Sequence, residues 1–210
     1  NSRSLAAVAA RSSSPSSLPT AIAVSASYDR KVAYALAAGG IAIGQLEPAF
    51  DQWFDVQNFG DTVYAHVALQ PEGPLVAGAS GTKVEVLDTR TGFQRFTWTA
   101  PSEVVSIGWE EPTGARLFVG AGGHVSVFDL VSKDPVFDLA IGDRGFRFDG
   151  NHWLFALDSN GNAGAAELSE SGERLHFTSS DDPVVAGSSD WWFDHDFVLL
   201  HASGKLERVN

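Results

Sequence analysis

The sequence contains no cysteine and no methionine, and its charged residues are few and mostly acidic. Without cysteine the protein can form no disulfide, use no thiol nucleophile and bind no zinc through thiolates. Lys and Arg number 14 against 26 Asp and Glu, a formal net charge of −12. The chain therefore lacks the basic surface that attracts nucleic acids and anionic membranes. We expect neither of them as a partner.

Long hydrophobic runs are missing too. The nearest candidate for a membrane span, VAYALAAGGIAIGQL at 32–46, is too short and is interrupted by Gly39 and Gly40. The first 20 residues are free of acids and rich in Ser and Ala, which leaves open a remnant of a targeting segment. Absence of cysteine does not identify the compartment. We expect a soluble protein, with an intracellular location favoured.

Enzyme and metal signatures are absent as well. There is no G-x-S-x-G nucleophile motif, no glycine-rich phosphate loop, and no HxH or HExxH spacing among the six histidines. The segment DSNGNAGAAE at 158–167 resembles a calcium loop, but Ala163 and Ser169 stand where a glycine and a bidentate acid are needed. A type I′ turn at Asn160 and Gly161 explains the same residues. We expect no metal, no cofactor and no catalysis.

Glycine, in contrast, is abundant, and it recurs with a regular period. Five segments each consist of a short apolar strand, a glycine turn and a second alternating strand, which is the pattern of a β-hairpin. The turn glycines are separated by 41, 42, 38 and 43 residues, namely Gly40, Gly81, Gly123, Gly161 and Gly204. A period near 40 residues is typical of propellers and other repeat proteins.

Each hairpin is flanked by further strands. VYAHVAL precedes and FQRFTWTA follows the second hairpin, and apolar residues alternate, as in KVEVLD and HVSVFD, instead of recurring at helical spacing. The pattern predicts an all-β protein built from four-stranded antiparallel meanders. Such sheets bury both faces when they pack face to face around an axis, as in a β-propeller.

Two segments carry a family resemblance. VYAHVALQPEGPLVAGASGTKVEVLDTRTG at 63–92 and VVSIGWEEPTGARLFVGAGGHVSVFDL at 104–130 resemble the WD-repeat in their strands, their glycine turns and their strand-terminal aspartate. The Gly-His dipeptide of that family is missing, and Leu87-Asp88 and Phe128-Asp129 stand in place of Trp-Asp. The resemblance implies a β-propeller acting as a noncatalytic scaffold that binds a protein or peptide partner on one face.

We interpret residues 1–210 as a single domain of five blades. The predicted blades are 19–59, 60–101, 102–142, 143–181 and 182–210. Because the last unit ends after its third strand, residues 4–11 are expected to complete it and close the ring, which would remove exposed strand edges. The alternative is a fragment of a seven-bladed ring. A monomer is expected unless the chain belongs to a larger assembly.

The aromatic stretch SDWWFDHDF at 189–197 could be a ligand site or a strand with its turn. Alignment with the preceding unit places its tryptophans on the first strand of the fifth blade and Asp194, His195 and Asp196 in the following turn. Asp is common in turns because its side chain bonds nearby backbone amides. The structural interpretation is preferred over a metal site.

Acids recur near the predicted start of the first strand in four units, and in a propeller they would surround one end of the channel. They either cap loops or form an acidic surface for a partner. The predicted partner-binding residues are Asp61, Lys83, Glu103, His124, Asp143, Arg144, Asp190 and Trp191. Alternatives are a carbohydrate-binding or glycosidase-like five-bladed propeller, in which paired carboxylates act on sugars, and a structural module of a larger chain or complex. A lectin would repeat its pocket residues in every blade, and this sequence does not.

Overall fold

The structure, a computed structural model, describes ten segments of the chain. These are residues 21–26, 31–46, 53–59, 61–110, 113–131, 134–148, 153–168, 174–177, 181–190 and 196–209. All regular elements in these segments are β-strands, so the all-β prediction is confirmed. Within the same segments, no helix has the length and apolarity needed to cross a bilayer.

The chain divides into two compact units. The first comprises the described residues up to Ala100 together with Ile107–Trp109, and the second comprises Pro101–Ser106 and the described residues from Glu110 onward. The first unit contains two four-stranded sheets. Their strands in chain order are β1 (Ala21–Ala26), β2 (Lys31–Leu36), β3 (Ile41–Leu46) and β4 (Trp53–Phe59), then β5 (His66–Leu69), β6 (Leu75–Ser80), β7 (Lys83–Asp88) and β8 (Gln94–Thr99).

Three further sheets follow. The third comprises β9 (Val104–Trp109), β10 (Arg116–Ala121), β11 (His124–Asp129) and β12 (Phe137–Leu139). The fourth comprises β13 (Arg144–Phe148), β14 (Trp153–Leu157), β15 (Ala163–Glu167) and β16 (Arg174–Phe177), and the fifth β17 (Val184–Asp190), β18 (Asp196–His201) and β19 (Leu206–Val209). In every sheet, sequence neighbours lie side by side, so each is the meander that the repeats predicted.

The hairpin turns follow the glycine period. The φ angles of the five turn glycines are all positive, at 91° for Gly40, 57° for Gly81, 82° for Gly123, 80° for Gly161 and 86° for Gly204. Between β10 and β11, register pairs run from Arg116 and Asp129 to Ala121 and His124 and leave a two-residue Gly-Gly loop with both φ angles positive. That loop is the type I′ turn that matches strand twist.

The type I′ turn expected at Asn160 and Gly161 is wrong. Only Gly161 has a positive φ angle there, and Asp158 N–H donates to Asn162 O at 2.9 Å to close a longer loop. Asp158 Oδ1 accepts from the N–H groups of Asn160 at 2.7 Å and of Asn162 at 2.9 Å. Because this side chain organises the turn one residue earlier, only the glycine that follows is left-handed.

The middle strands of the sheets are buried on both faces. In β11 the four central residues are buried, whereas in the outer strand β8 exposed and half-buried side chains alternate. One core cluster packs Ala33, Ile41 and Ile43 of the first sheet against residues of the second, including Val67 and Val76. In the second unit, Phe118 and Leu154 belong to one cluster and Phe155 and Leu199 to another. The polar residues that alternate with the apolar ones in such a strand are therefore covered as well, as Ser126 is in β11.

Glycines in two strands accommodate large aromatic rings that lie against them. A Cβ on Gly78 would lie 2.6 Å from the ring of Tyr64, and one on Gly187 would overlap the ring of Phe155. The absence of a side chain at these positions therefore allows the rings to pack directly against the strand backbone.

The predicted position of Asp190 is wrong. It is the last residue of β17, which begins at Val184, and it pairs with Asp196. The alignment of the fourth and fifth units places Asp190 near the start of this strand, whereas the strand begins six residues earlier, and its Gly187 lies against the ring of Phe155. Trp191, with Asp194 and His195, lies outside the described residues, as does the predicted closing strand 4–11.

Candidate functional site at the turn end of the sheets

The turn between the second and third strands of a sheet is hydrogen-bonded to the segment that leads into the next sheet. These bonds join Gly40 N–H to Thr62 O (2.7 Å) and Ala100 N–H to Thr82 O (2.8 Å) in the first unit, and Gly142 N–H to Gly123 O (3.1 Å) and Val184 N–H to Gly161 O (2.9 Å) in the second. We call the region formed by these turns and lead-in segments the turn end of each unit. Its backbone is held by hydrogen bonds, so its side chains are presented from a rigid base.

In the second unit, Asp143 anchors the turn at Gly123. Gly123 N–H donates to Asp143 Oδ2 at 2.8 Å, while Gly123 O accepts from Gly142 N–H. Asp143 N–H donates to Leu157 O at 2.9 Å, and the Asp143 carbonyl accepts from the Ser106 hydroxyl. Asp143 is buried. This predicted site residue therefore holds the turn in place.

Three other predicted residues surround the same turn. His124 follows it as the first residue of β11, Arg144 follows Asp143 as the first residue of β13, and Glu103 lies in the segment leading into β9. Ser102 precedes Glu103, and its hydroxyl would lie 2.8 Å from a Cβ placed on Gly122, the first of the two glycines in this turn. Tertiary packing thus brings together residues separated by up to 41 positions in the chain.

The side chains around this turn are exposed and carry both signs of charge. His124 Nδ1 lies 3.4 Å from Asp138 Oδ1, and Arg144 Nε lies 3.4 Å from Asp143 Oδ1. The His124 and Arg144 side chains are each 48% exposed, and Glu103 is exposed as well. We call the set Glu103, His124, Asp138 and Arg144 the Gly123 surface. Sequence reasoning missed Asp138, because its pairing with His124 depends on the register of β12 on β11.

Removing the Asp143 carboxylate should loosen this surface. We expect Asp143→Ala to lower the free energy of unfolding by about 1 kcal/mol, because the Gly123 N–H loses its acceptor. Hydrogen exchange at the Gly123 amide should accelerate at the same time. Asp143→Asn, which keeps an acceptor oxygen, is the matched control and should cost less. Equal exchange rates at Gly123 in all three proteins would contradict this role.

In the first unit, Asp61 and Lys83 lie near a buried polar pair. Tyr64 donates its hydroxyl to Glu85 Oε2 at 3.0 Å, and Lys83 Nζ donates to Glu85 Oε1 at 2.8 Å. Burial raises the pKa of Tyr64, and the negative charges of Glu85 and Asp61 raise it further. The tyrosine thus stays a neutral donor. Asp61 is exposed and contributes its backbone at the contact with Gly39.

At the fifth sheet, the acid that anchors the turn is Asp182 and not the predicted Asp190. Asp182, in the segment leading into β17, accepts from Ser203 N–H at 2.9 Å through Oδ1 and from Ser203 Oγ at 2.6 Å through Oδ2. These bonds lower the pKa of Asp182. The run Asp181-Asp182-Pro183 was the available signal, because an acid before proline favours a turn. Asp190 lies at the opposite end of β17.

Next to Asp182, a buried histidine has both ring nitrogens in contact with oxygens. His201 Nδ1 lies 2.8 Å from Asp182 O, and Nε2 lies 3.1 Å from Glu207 Oε2. Lys205 Nζ also donates to Glu207 Oε2 at 2.7 Å, which lowers the pKa of Glu207 and raises that of Lys205. Every polar atom of the ring is therefore engaged within the fold, as expected for a strand histidine.

The chemistry of the turn ends is that of polar contacts. The carboxylates of Asp143, Asp158 and Asp182 accept hydrogen bonds from N–H or hydroxyl groups of the chain. Across the described segments, no three His, Asp or Glu side chains converge in a way that would hold a metal ion. The exposed groups of the Gly123 surface are suited to hydrogen bonds and ion pairs with another molecule.

Comparison with known proteins supports the fold and leaves the sequence without a close match. No protein-family model matches the chain, and no curated protein matches it. Among solved structures it is similar to a chain in the crystal structure of the mitotic checkpoint complex, with a TM-score of 0.66 and 15% identity. The similarity covers 88% of this chain and 61% of the other, so this chain spans less than two thirds of that protein's length. The similarity and the small antiparallel sheets together confirm the propeller-blade fold class.

Proposed function

We propose that the protein is a noncatalytic interaction module of WD-repeat type that binds a protein or peptide partner at its turn end. The observation that carries the proposal is the Gly123 surface, where Glu103, His124 and Arg144 converge on one hydrogen-bonded turn. Rigid scaffolds with exposed loop residues are a common basis for recognition, because little ordering entropy is lost on binding. The structural neighbour is a chain of a protein complex, which agrees with this function.

The roles within the surface differ. Asp143 is buried and positions the turn, so the direct contacts are assigned to Glu103, His124 and Arg144. Mixed charges at a rim favour correct orientation and fast association with a polar partner more than they favour tight binding. A partner with complementary acidic and basic side chains fits this arrangement.

The test is a triple variant, Glu103→Ala, His124→Ala and Arg144→Ala. Proteins captured from the source cells by the wild-type chain would be quantified by mass spectrometry beside those captured by the variant. We expect the specific partner to be depleted at least about tenfold, as for loss of several interface contacts. The variant should retain the wild-type circular dichroism spectrum, because all three side chains are exposed.

A matched control changes three exposed residues at the opposite end of the third sheet, Thr113→Ala, Leu130→Ala and Val131→Ala. This control should capture the same partner as the wild type. Equal capture by the Gly123-surface variant, or loss of capture by the control alone, would contradict the proposed surface.

A further inference from the structure

The turn between β14 and β15 contains the only Asn-Gly pair in the sequence, Asn160-Gly161. An asparagine side chain followed by glycine is open to attack by the next backbone nitrogen, because glycine has no side chain to block the approach. Asn160 is exposed, so water reaches the reaction site. The pair therefore combines an intrinsically reactive sequence with access to solvent.

The glycine in this pair is required by the fold, whereas the asparagine is not. Gly161 has a φ angle of 80°, and a Cβ there would overlap Pro183. Any other residue at position 161 would be strained by the positive φ angle and would clash with Pro183. Among the described residues, the exposed Asn160 side chain belongs to no core cluster. The fold therefore requires glycine at position 161, and this glycine is what makes Asn160 reactive.

Asp158 restrains both reacting groups. Its Oδ1 accepts from Asn160 N–H at 2.7 Å and from Asn162 N–H at 2.9 Å, and the Asn160 side chain also donates to its carboxylate. The Gly161 N–H, which carries the attacking nitrogen, points to Asp158 O at 3.4 Å. Burial of Asp158 raises the pKa of its carboxyl, but hydrogen bonds, above all the one from Asn162 Nδ2 to Oδ2 at 2.7 Å, outweigh burial and lower it. The carboxylate therefore remains charged and able to restrain the turn at neutral and alkaline pH.

We propose that Asn160 is a site of spontaneous deamidation and isomerisation whose rate is set by the hydrogen bonds of Asp158. The Gly161 backbone nitrogen loses its proton to solvent and attacks Asn160 Cγ. The Cγ–Nδ2 bond breaks, the departing nitrogen takes up a proton from solvent and leaves as ammonia, and a five-membered succinimide forms. Water then opens the ring at either carbonyl and leaves aspartate or isoaspartate at position 160. No oxidant, reductant or enzyme takes part.

The product would alter the contact between the fourth and fifth sheets. Gly161 O accepts from Val184 N–H at 2.9 Å, which ties the turn to the segment leading into β17. Isoaspartate adds a methylene to the backbone next to Gly161 and so displaces this carbonyl. Both products add a negative charge beside Asp158. Hydrogen exchange at the Val184 amide should therefore accelerate in modified molecules.

The experiment follows the full chain during incubation at mildly alkaline pH and 37 °C. Peptide mapping by mass spectrometry detects the exchange of amide for acid at residue 160. Asp158→Ala should convert about tenfold faster than the wild type, since the carboxylate bonds to the N–H groups of Asn160 and Asn162 are lost and only the backbone bonds of the turn remain. Asn160→Ser cannot be deamidated at position 160 and is therefore the negative control for hydrogen exchange at the Val184 amide.

Val127→Ala separates this local effect from general loss of stability. Val127 is fully buried in the same unit, so the substitution destabilises the fold and leaves the Asp158 bonds intact. It should convert at the wild-type rate. Equal acceleration in Val127→Ala and Asp158→Ala would overturn control by Asp158. The urea-unfolded chain serves as the positive control for the reaction. If it is deamidated at residue 160 and the folded Asp158→Ala variant is not, Asn160 is not a deamidation site in the folded protein.

Discussion

Gly120→Ala is expected to lower the free energy of unfolding by about 3–5 kcal/mol, the range of the most damaging single substitutions. Gly120 lies in β10, where an added Cβ would overlap the backbone carbonyl of Asp143. That carbonyl cannot move freely, because it accepts from Ser106 and the Asp143 carboxylate holds Gly123. Relief of the overlap must therefore displace β13 or the Gly123 turn. Urea denaturation measures the loss.

The matched control is Gly123→Ala. A Cβ on Gly123 meets no atom within 4 Å, so this substitution carries only the strain of a φ angle of 82°, about 1–2 kcal/mol. The difference between the two variants isolates the packing overlap from backbone strain. Equal losses would show that the sheets tolerate the added methyl group and would refute the close contact between β10 and the Asp143 backbone.

Asp88→Asn is expected to remove about 2 kcal/mol of stability at neutral pH and to change how stability depends on pH. Asp88 ends β7 and is 1% exposed. It accepts from Arg90 N–H at 2.9 Å and from Arg95 Nη2 at 2.6 Å. Burial alone would raise the pKa of Asp88, but the hydrogen bonds from Arg90 and Arg95, with the charge of Arg90, lower it to about 2.

The direction of the pH dependence of stability follows from the lowered pKa of Asp88. In the unfolded chain Asp88 takes up a proton near its usual value of 3.8, whereas the folded protein resists protonation down to about 2. The stabilisation is therefore complete above the unfolded value and is lost as pH falls toward the folded one. The difference in unfolding free energy between wild type and Asp88→Asn should be constant above about pH 5 and shrink between about pH 4 and 2.

Denaturation of both proteins across this pH range tests the expectation. Glu103→Gln, which removes an exposed carboxylate outside this cluster, serves as the control for general charge effects. An Asp88→Asn difference that stays constant down to about pH 2 would contradict a lowered pKa. The result also bears on the WD-repeat resemblance, because Asp88 occupies the motif aspartate position and its partners here are arginines.

The side chains at the turn ends of the two units were only partly predictable. Lys83 and His124 were found because each begins a strand directly after a glycine turn, which is a local relation. The anchoring role of Asp143 involves Gly123, 20 residues earlier in the chain, and local patterns carry no information on such a pair. The position predicted for Asp190 is wrong because β17 begins at Val184, six residues before it, and the start of this strand follows from its pairing with β18.

By itself, the sequence determined the strand content, the glycine turns and the order of the meanders, because alternation and positive φ angles are local requirements of the backbone. Only the tertiary structure decided which acids anchor turns and which face solvent. Asp158 bonds within its own turn, whereas Asp143 and Asp182 accept from residues 20 and 21 positions away in the chain. The bonds of Asp143 and Asp182 depend on how a turn meets the segment beside it, and that contact exists only after the strands have packed.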